Sequence, residues 1–364
     1  MSTFAAKLIR WQKLHGRNNL PWQSTRDPYA IWISEIMLQQ TQVAIVIPYY
    51  LRFLQRFPDI ESLALSSVDD VLALWSGLGY YSRGRNLHRA ARLIVRDQGG
   101  VFPRNIEVIH ELPGIGRSTA AAIAAFAYGE RCAILDGNVK RVFARFLGVD
   151  GDPAERKNET LLWRKAEELL PERSGQDEIE VYTQALMDLG ATVCTRVKPK
   201  CTACPLQQDC IALRDSRVDS LPAPKPRRPL PEKETALLML MKHGQILLEK
   251  RPDEGIWGGL WCLPEMSASK NAVAYCAQHF GIKVKPLPPM PPLNHAFTHF
   301  RLRIHPRPLQ VISYPYAITA QEQDEAIWVV LDDALKAGIP APVRKLLMQH
   351  GCPQSDQLPF EKQL

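Results

Sequence analysis

The sequence predicts a multidomain chain in which an all-α region at residues 1–218 is joined by a linker, 219–232, to an α+β domain at 233–350. Three observations carry this. Up to about residue 220, apolar residues recur at helical spacing and strand signals are few. From 221 to 232, prolines alternate with Lys225, Arg227 and Arg228, and almost nothing there could enter a core, so the stretch reads as a stiff, basic linker. After it, residues 236–242 and 245–251 flank a His243-Gly244 turn, and 300–305 and 326–331 form further short apolar or alternating runs. Residues 351–364 read as a flexible tail.

In chain order, Asp27 and Pro28 form an N-cap and first-turn pair that opens a helix over 29–41. An amphipathic stretch, 106–111, runs into Leu112-Pro113-Gly114-Ile115-Gly116, and an alanine-rich stretch without alternation, 119–128, follows. This reads as helix, glycine hairpin and helix over about 106–129. Glycines at 114 and 116 permit positive φ and remove side chains, so backbone N–H groups and the next helix N-terminus can converge on one phosphate. A dinucleotide-binding turn is a rival, because Asp136 follows about twenty residues later. It fails on context: Thr119 stands where the third glycine belongs, and a helical pattern with Pro113 stands where a strand is required. An ordinary helix–helix turn stays open.

Cys194, Cys201, Cys204 and Cys210 fall within seventeen residues, separated by six, two and five. The loop around them, with Arg196, Lys198, Pro199 and Lys200, has too few apolar residues to hold itself by packing. A compact run of four cysteines with Pro205 after the third suits a [4Fe-4S] cluster better than the paired spacing usual for zinc. Zinc and two disulfides stay open as alternatives. The 364 residues are 46% hydrophobic, enough for a sizeable core and two or three units. The formal charge of +7 is mild, yet basic residues gather at 83–89, at 140–145 and at 196–200, as a polyanion binder requires and as solvated surface charge would also produce. Residues 1–10 lack an apolar signal core and no run approaches the roughly 18 apolar residues of a membrane span, so a soluble, cytoplasmic protein is expected.

The 112–116 hairpin, the run Leu135-Asp136-Gly137-Asn138-Val139-Lys140-Arg141 and the four cysteines, in that order, resemble the helix-hairpin-helix DNA glycosylases related to endonuclease III over about residues 5–215. Within that superfamily, the run from Ser34-Glu35 through Gln39-Gln40-Thr41-Gln42 and the run Gly77-Leu78-Gly79-Tyr80-Tyr81 are similar to the MutY-type adenine DNA glycosylases. Residues 233–350, with Gly255-Ile256-Trp257-Gly258-Gly259-Leu260-Trp261 and Pro264, resemble that family's MutT-like, or Nudix-like, domain. The resemblance implies a monomeric base-excision-repair enzyme. It would hydrolyse the N-glycosidic bond of adenine mispaired with 8-oxoguanine or guanine in double-stranded DNA, leave an abasic site, and work alongside replication or mismatch-repair proteins.

Such a cut needs a proton for the departing base and negative charge beside a sugar that becomes an oxocarbenium ion. Glu35 shares a helix face with Ile31, Trp32, Leu38 and Gln39, an apolar setting that should raise its pKa. Asp136 precedes Gly137 and Asn138 at a helix start, where backbone N–H groups favour the anion. The bland readings are a solvated glutamate and a simple cap. The resemblance makes Glu35 the acid that protonates adenine and Asp136 the stabiliser of the sugar cation or of a covalent intermediate. Strand-cleaving relatives carry a nucleophilic lysine two residues after the second hairpin glycine; Ser118 stands there, which implies a monofunctional enzyme. Lys140 is then a phosphate contact or a structural residue.

By the same resemblance, Gln40, Leu78 and Tyr80 are wedges that help flip the nucleotide, against the plainer readings of a capping amide, a core leucine and a core tyrosine. Gln184 lines the adenine pocket. Asn18 departs from relatives that carry lysine there, which would lower any lyase side reaction. In the second domain, residues 273–278 lack the carboxylates a nucleotide hydrolase needs for divalent cations, and Glu265 alone would not assemble a site. That domain should recognise the lesion, through Phe297, Thr298 and His299, with His295 as a further candidate and a histidine metal pair or polar strand start as the alternative. The rival functions are an endonuclease III-like glycosylase/AP lyase, a non-enzymatic iron–sulfur DNA-binding module, and a chain whose C-terminal unit is an active nucleotide hydrolase.

Overall fold

The computed structural model describes residues 3–172, 176–223, 229–313 and 326–351. Part of the expected linker, 224–228, and nearly all of the expected tail, 352–364, lie outside the described residues. The chain divides into two compact units. One comprises Met1–Ser66 and Asn86–Arg227; the other comprises Ser67–Arg85 and Arg228–Leu364.

The first unit is helical, and its described residues contain no strand. Its core gathers Phe4 and Leu8 from the helix Thr3–His15, Ala121, Ala122 and Ala125 from Arg117–Tyr128, Val139 and Phe143 from Gly137–Phe146, and Tyr182, Ala185 and Leu186 from Gln176–Asp188. The alanines permit close helix approach, and each fully buried large side chain contributes about 1.5–3 kcal/mol. The helix Pro28–Leu38 is capped by the Asp27 carboxylate, which accepts from the Tyr29 N–H at 3.0 Å. It is buried on every side: Tyr29, Ala30, Ile31, Trp32, Ile33, Ser34, Ile36 and Met37 are all inaccessible, as expected only for a helix through a core. It stops at Leu38, short of the expected 41, because Gln40 takes the left-handed φ of 57°.

Among its described residues the second unit has eight strands: β1 (Glu232–Lys242), β2 (Gln245–Lys250), β3 (Trp261–Cys262), β4 (Glu265–Met266), β5 (Lys283–Pro286), β6 (Leu293–Ala296), β7 (Arg301–Ser313) and β8 (Ala326–Val330). The central order is β3-β2-β1-β7-β5, with β4 on β1, β6 on β7 and β8 on β2. β1 and β7 run parallel, Glu232 beside Arg301 through Met241 beside Gln310; the other pairs are antiparallel. His243 and Gly244 both have positive φ, 50° and 77°, which suits the tight turn joining β1 to β2. Over residues 236–240, β1 is apolar without alternation because both its faces are covered there. Leu237 and Met239 pack with Val343, Leu346 and Leu347 of the helix Ala341–Gly351, while Ala236, Leu238 and Leu240 pack with Cys276 of Ala272–Phe280 and with Ile282. Ser67–Arg85, early in the chain, joins this unit: Leu72 enters the first of these clusters and the Ser76 hydroxyl donates to the Ile339 carbonyl at 3.1 Å.

Candidate active site

Glu35 is the one side chain between Tyr29 and Met37 that is not fully buried, and it opens onto a cavity of about 210 Å³ that Gln12, Asn18, Trp22, Phe126 and Gln184 also line. Burial, with the charge of Asp136 adding to it, raises the Glu35 pKa to about 8. The two carboxyl groups are therefore electrostatic neighbours. No lysine lines the cavity among the described residues; Asn18 presents an amide there instead of an amine.

Asp136 caps the helix Gly137–Phe146, accepting from the Asn138 and Val139 N–H groups at 2.7 and 2.8 Å. Both donors reach Oδ1, which leaves the lone pairs of Oδ2 for another partner. Ser118 supports the approach to this cap, since its hydroxyl oxygen accepts from the Leu135 N–H at 2.9 Å. Lys140 is held by Glu159 at 2.6 Å, so its ammonium is already paired.

The hairpin between Ile106–Glu111 and Arg117–Tyr128 presents exposed Gly114 and Gly116. Gly114 has φ 81°, and a Cβ there would come within 2.9 Å of Asn86 Cβ, so glycine is needed on both counts. Gly116 is an N-cap with no side-chain hydrogen bond, which leaves the first N–H groups of the next helix for an anion. Gln39 steadies the hairpin, donating to the Gly114 carbonyl at 3.4 Å. Gln40 is exposed.

None of the four cysteines is joined in a disulfide, and each is partly exposed. Burial pushes Cys201, Cys204 and Cys210 up, Cys204 to about 12, and the charges of the neighbouring cysteines add in the same direction. Backbone hydrogen bonds favour the thiolates of Cys204, from Leu206, and of Cys210, from Leu213 and Ala212. Arg145 donates to Cys194 Sγ at 3.4 Å and to the Thr195 carbonyl at 2.7 Å. Arg141 donates to the carbonyls of Cys194 and Gly190 at 2.8 and 2.6 Å. Both arginines belong to the helix that Asp136 caps, so the cysteine loop and the Asp136 cap share one support. Four cysteines in electrostatic reach of one another, with amide and guanidinium donors around them, have a donor set that suits the thiolate ligands of an iron–sulfur cluster. No group of three or more His, Cys, Asp or Glu among the described residues is gathered for a single metal ion.

In the second unit, Leu78 is buried at 6% exposure, whereas Tyr80 is 48% exposed. The Arg83 guanidinium lies 5.6 Å from the Tyr80 ring and 5.5 Å from that of Trp75. Phe297 to Phe300 form the turn between β6 and β7, closed by the Phe297 N–H donating to the Phe300 carbonyl at 2.9 Å. Thr298 and His299 are exposed at its tip, while Phe297 packs among Trp257, His295 and Phe300. Glu265 is engaged by Thr235 at 2.6 Å and by Arg251, and the helix Ala272–Phe280 carries no carboxylate. The sequence reading missed Gln12, which lines the cavity, and Asp188, which accepts from the Gln12 amide at 3.0 Å. The available signal was a polar residue, Gln12, continuing the apolar Ala5–Leu8 face of an amphipathic helix.

Residues 33–168 match the HhH-GPD superfamily base excision DNA repair protein model, and 235–349 match the NUDIX domain. An adenine DNA glycosylase of Buchnera aphidicola subsp. Acyrthosiphon pisum is 38% identical over 346 residues, 94% of this chain and 96% of that protein. The adenine DNA glycosylase of Mus musculus is 33% identical over 96% of this chain and 78% of its own. The solved structure of a thermostable thymine-DNA glycosylase superposes with a TM-score of 0.52 at 31% identity, covering 58% of this chain and 95% of that one. With a helix-hairpin-helix unit, a Nudix-type sheet and near full-length identity to these relatives, the chain belongs to the adenine DNA glycosylases.

Proposed function

We propose that this adenine glycosylase acts at the Glu35 cavity on adenine mispaired with 8-oxoguanine or guanine, by acid-assisted hydrolysis, and leaves an abasic site. The observation that carries the reading is a glutamate on a core helix, facing a cavity, with a pKa of about 8 and a second carboxylate in electrostatic reach. Glu35 keeps its proton at neutral pH and gives it to the base, which then leaves as a neutral group. Asp136, held by two N–H groups through Oδ1, stabilises the positive sugar through Oδ2 while water attacks. Ser118 and Asn18 put no amine where a Schiff base could form, so the strand stays intact.

The supporting parts follow the same logic. Gly114, Gly116 and the open helix N-terminus behind them grip a phosphate, Gln40 and Tyr80 act on the opened duplex, and Gln184 contacts the flipped base. Leu78, buried in this conformation, would have to emerge to act as a wedge. Thr298 and His299 offer hydrogen bonds to the base opposite the adenine. Cys194, Cys201, Cys204 and Cys210 hold a [4Fe-4S] cluster, which supplies no proton or nucleophile for hydrolysis and braces the Arg196, Lys198 and Lys200 loop for phosphate contact. Among the described residues no helix is long and apolar enough to cross a membrane.

The test is release of adenine from a duplex with one A:8-oxoguanine pair, wild type against Glu35→Gln, with strand breaks scored before and after alkali. Release that depends on Glu35, with breaks mainly after alkali, supports the reading. Glu35-independent release, or breaks before alkali, overturns it.

A further inference from the structure

Gln12 is 2% exposed, yet it lines the same cavity as Glu35. Its amide nitrogen donates to Asp188 Oδ2 at 3.0 Å. Asp188, itself fully buried, also accepts from the Arg17 backbone N–H at 2.7 Å, from Arg17 Nε at 2.8 Å and from Gln184 Nε2 at 2.8 Å. A carboxylate held by a guanidinium can only accept, so the amide atom facing it on Gln12, and likewise on Gln184, must be the NH₂ group. Both amides are fixed in orientation, and each has its carbonyl oxygen directed away from Asp188.

The Gln12 carbonyl oxygen is buried and accepts from no group among the described residues. A buried acceptor without a donor is costly, and an ordered water or a bound ligand is what would satisfy it. Its place is built into the chain: a Cβ on Gly16 would collide with the Gln12 amide, so only glycine there lets the side chain lie as it does. Adenine carries its exocyclic amino group beside N7 on one edge, whereas guanine and hypoxanthine present a carbonyl oxygen at that place.

We propose that Gln12 is a specificity-determining residue whose carbonyl oxygen accepts a hydrogen bond from the exocyclic amino group of the flipped adenine, and that Asp188 is the positioning residue that fixes its orientation. This rests on the reading of the cavity as the adenine pocket. An acceptor that cannot rotate rewards an amino group and repels a carbonyl oxygen, a stronger filter than a freely turning amide provides.

The experiment is single-turnover base release from duplexes carrying adenine or unsubstituted purine, which lacks the amino group, opposite the same 8-oxoguanine. Gln12→Met keeps the length of the side chain and removes the acceptor. It should slow adenine release by about tenfold and leave purine release nearly unchanged. Asp188→Asn, whose amide no longer dictates which atom faces it, should shrink the same adenine-to-purine ratio. Equal losses on both bases, or no loss on adenine, overturn the inference, since a merely structural residue would not distinguish them. Glu35→Gln separates the two readings: if it retains adenine release, the cavity is not the reaction site, whereas if it is inactive and Gln12→Met does not discriminate, only the Gln12 assignment fails. Should Gln12→Met not fold, Gln12→Asn, which withdraws the amide by one methylene, reads the same ratio.

Discussion

The Leu135 backbone N–H donates to the Ser118 hydroxyl oxygen at 2.9 Å, one residue before Asp136. Ser118 thus ties the segment that leads into Asp136 to the first turn of the hairpin's second helix. Leu135 is only 3% exposed, so water cannot readily replace the lost acceptor. Ser118→Ala should destabilise the protein by about 1–3 kcal/mol and slow adenine release, because the Asp136 cap loses an anchor. Denaturant unfolding and single-turnover release measure the two effects, and unchanged values for both would remove Ser118 from the support of Asp136.

The raised pKa of Glu35 fixes the sign of two pH effects. The acid works while protonated, so adenine release should fall as pH rises through about 8. The folded state holds this proton more tightly than the unfolded chain does. Glu35 therefore lowers stability progressively as pH rises from about 4.5 to about 8, by an amount on the order of 5 kcal/mol at most. Glu35→Gln should be inactive but more stable than the wild type at pH 9, with no such advantage at pH 4. Melting temperatures at the two values test this, and equal differences at both would argue against a buried acid.

Asp136→Asn separates charge from capping. Asparagine is as good an N-cap as aspartate, so the side-chain oxygen can still accept from the Asn138 and Val139 N–H groups and stability should change by less than about 1 kcal/mol. The negative charge beside the sugar is lost, and release should fall by about 10²–10³-fold or more. A variant that unfolds in step with its loss of activity would show that Asp136 is a cap and nothing further.

Local chemistry made much of this legible in the sequence. The Asp27-Pro28 helix start, the glycine hairpin, the Asp136 cap and the His243-Gly244 turn are each set by residues within a few positions of one another, and the structure shows all four. What was not legible depends on residues far apart in the chain. The meeting of Gln12 with Asp188 joins two helix faces that sequence spacing cannot pair, and the inclusion of Ser67–Arg85 in the second unit depends on Leu72 reaching an apolar cluster with the distant residues Val343 and Leu346. Leu78 is a wedge by resemblance and a core leucine by the plainer reading, and its burial at 6% exposure depends on packing that the sequence does not display.

The cysteine loop gives the last prediction, because Arg141 and Arg145 fasten it to the helix that Asp136 caps. If a cluster holds the four thiols, Cys201→Ser should release the loop, weaken duplex binding through the exposed Arg196, Lys198 and Lys200, and loosen the carbonyl contacts of the two arginines. Loss of the brown colour of an iron–sulfur protein should then accompany lower thermal stability and weaker binding to an abasic-site duplex. The drop in affinity should be larger at low salt than at high salt, because phosphate contacts are what is lost. Adenine release at saturating enzyme should suffer less than binding, since Glu35 and the cavity lie on other helices. Colour lost with affinity and stability intact would leave the loop self-supporting and the cluster without a structural role; a zinc-loaded, colourless wild type would reassign the metal.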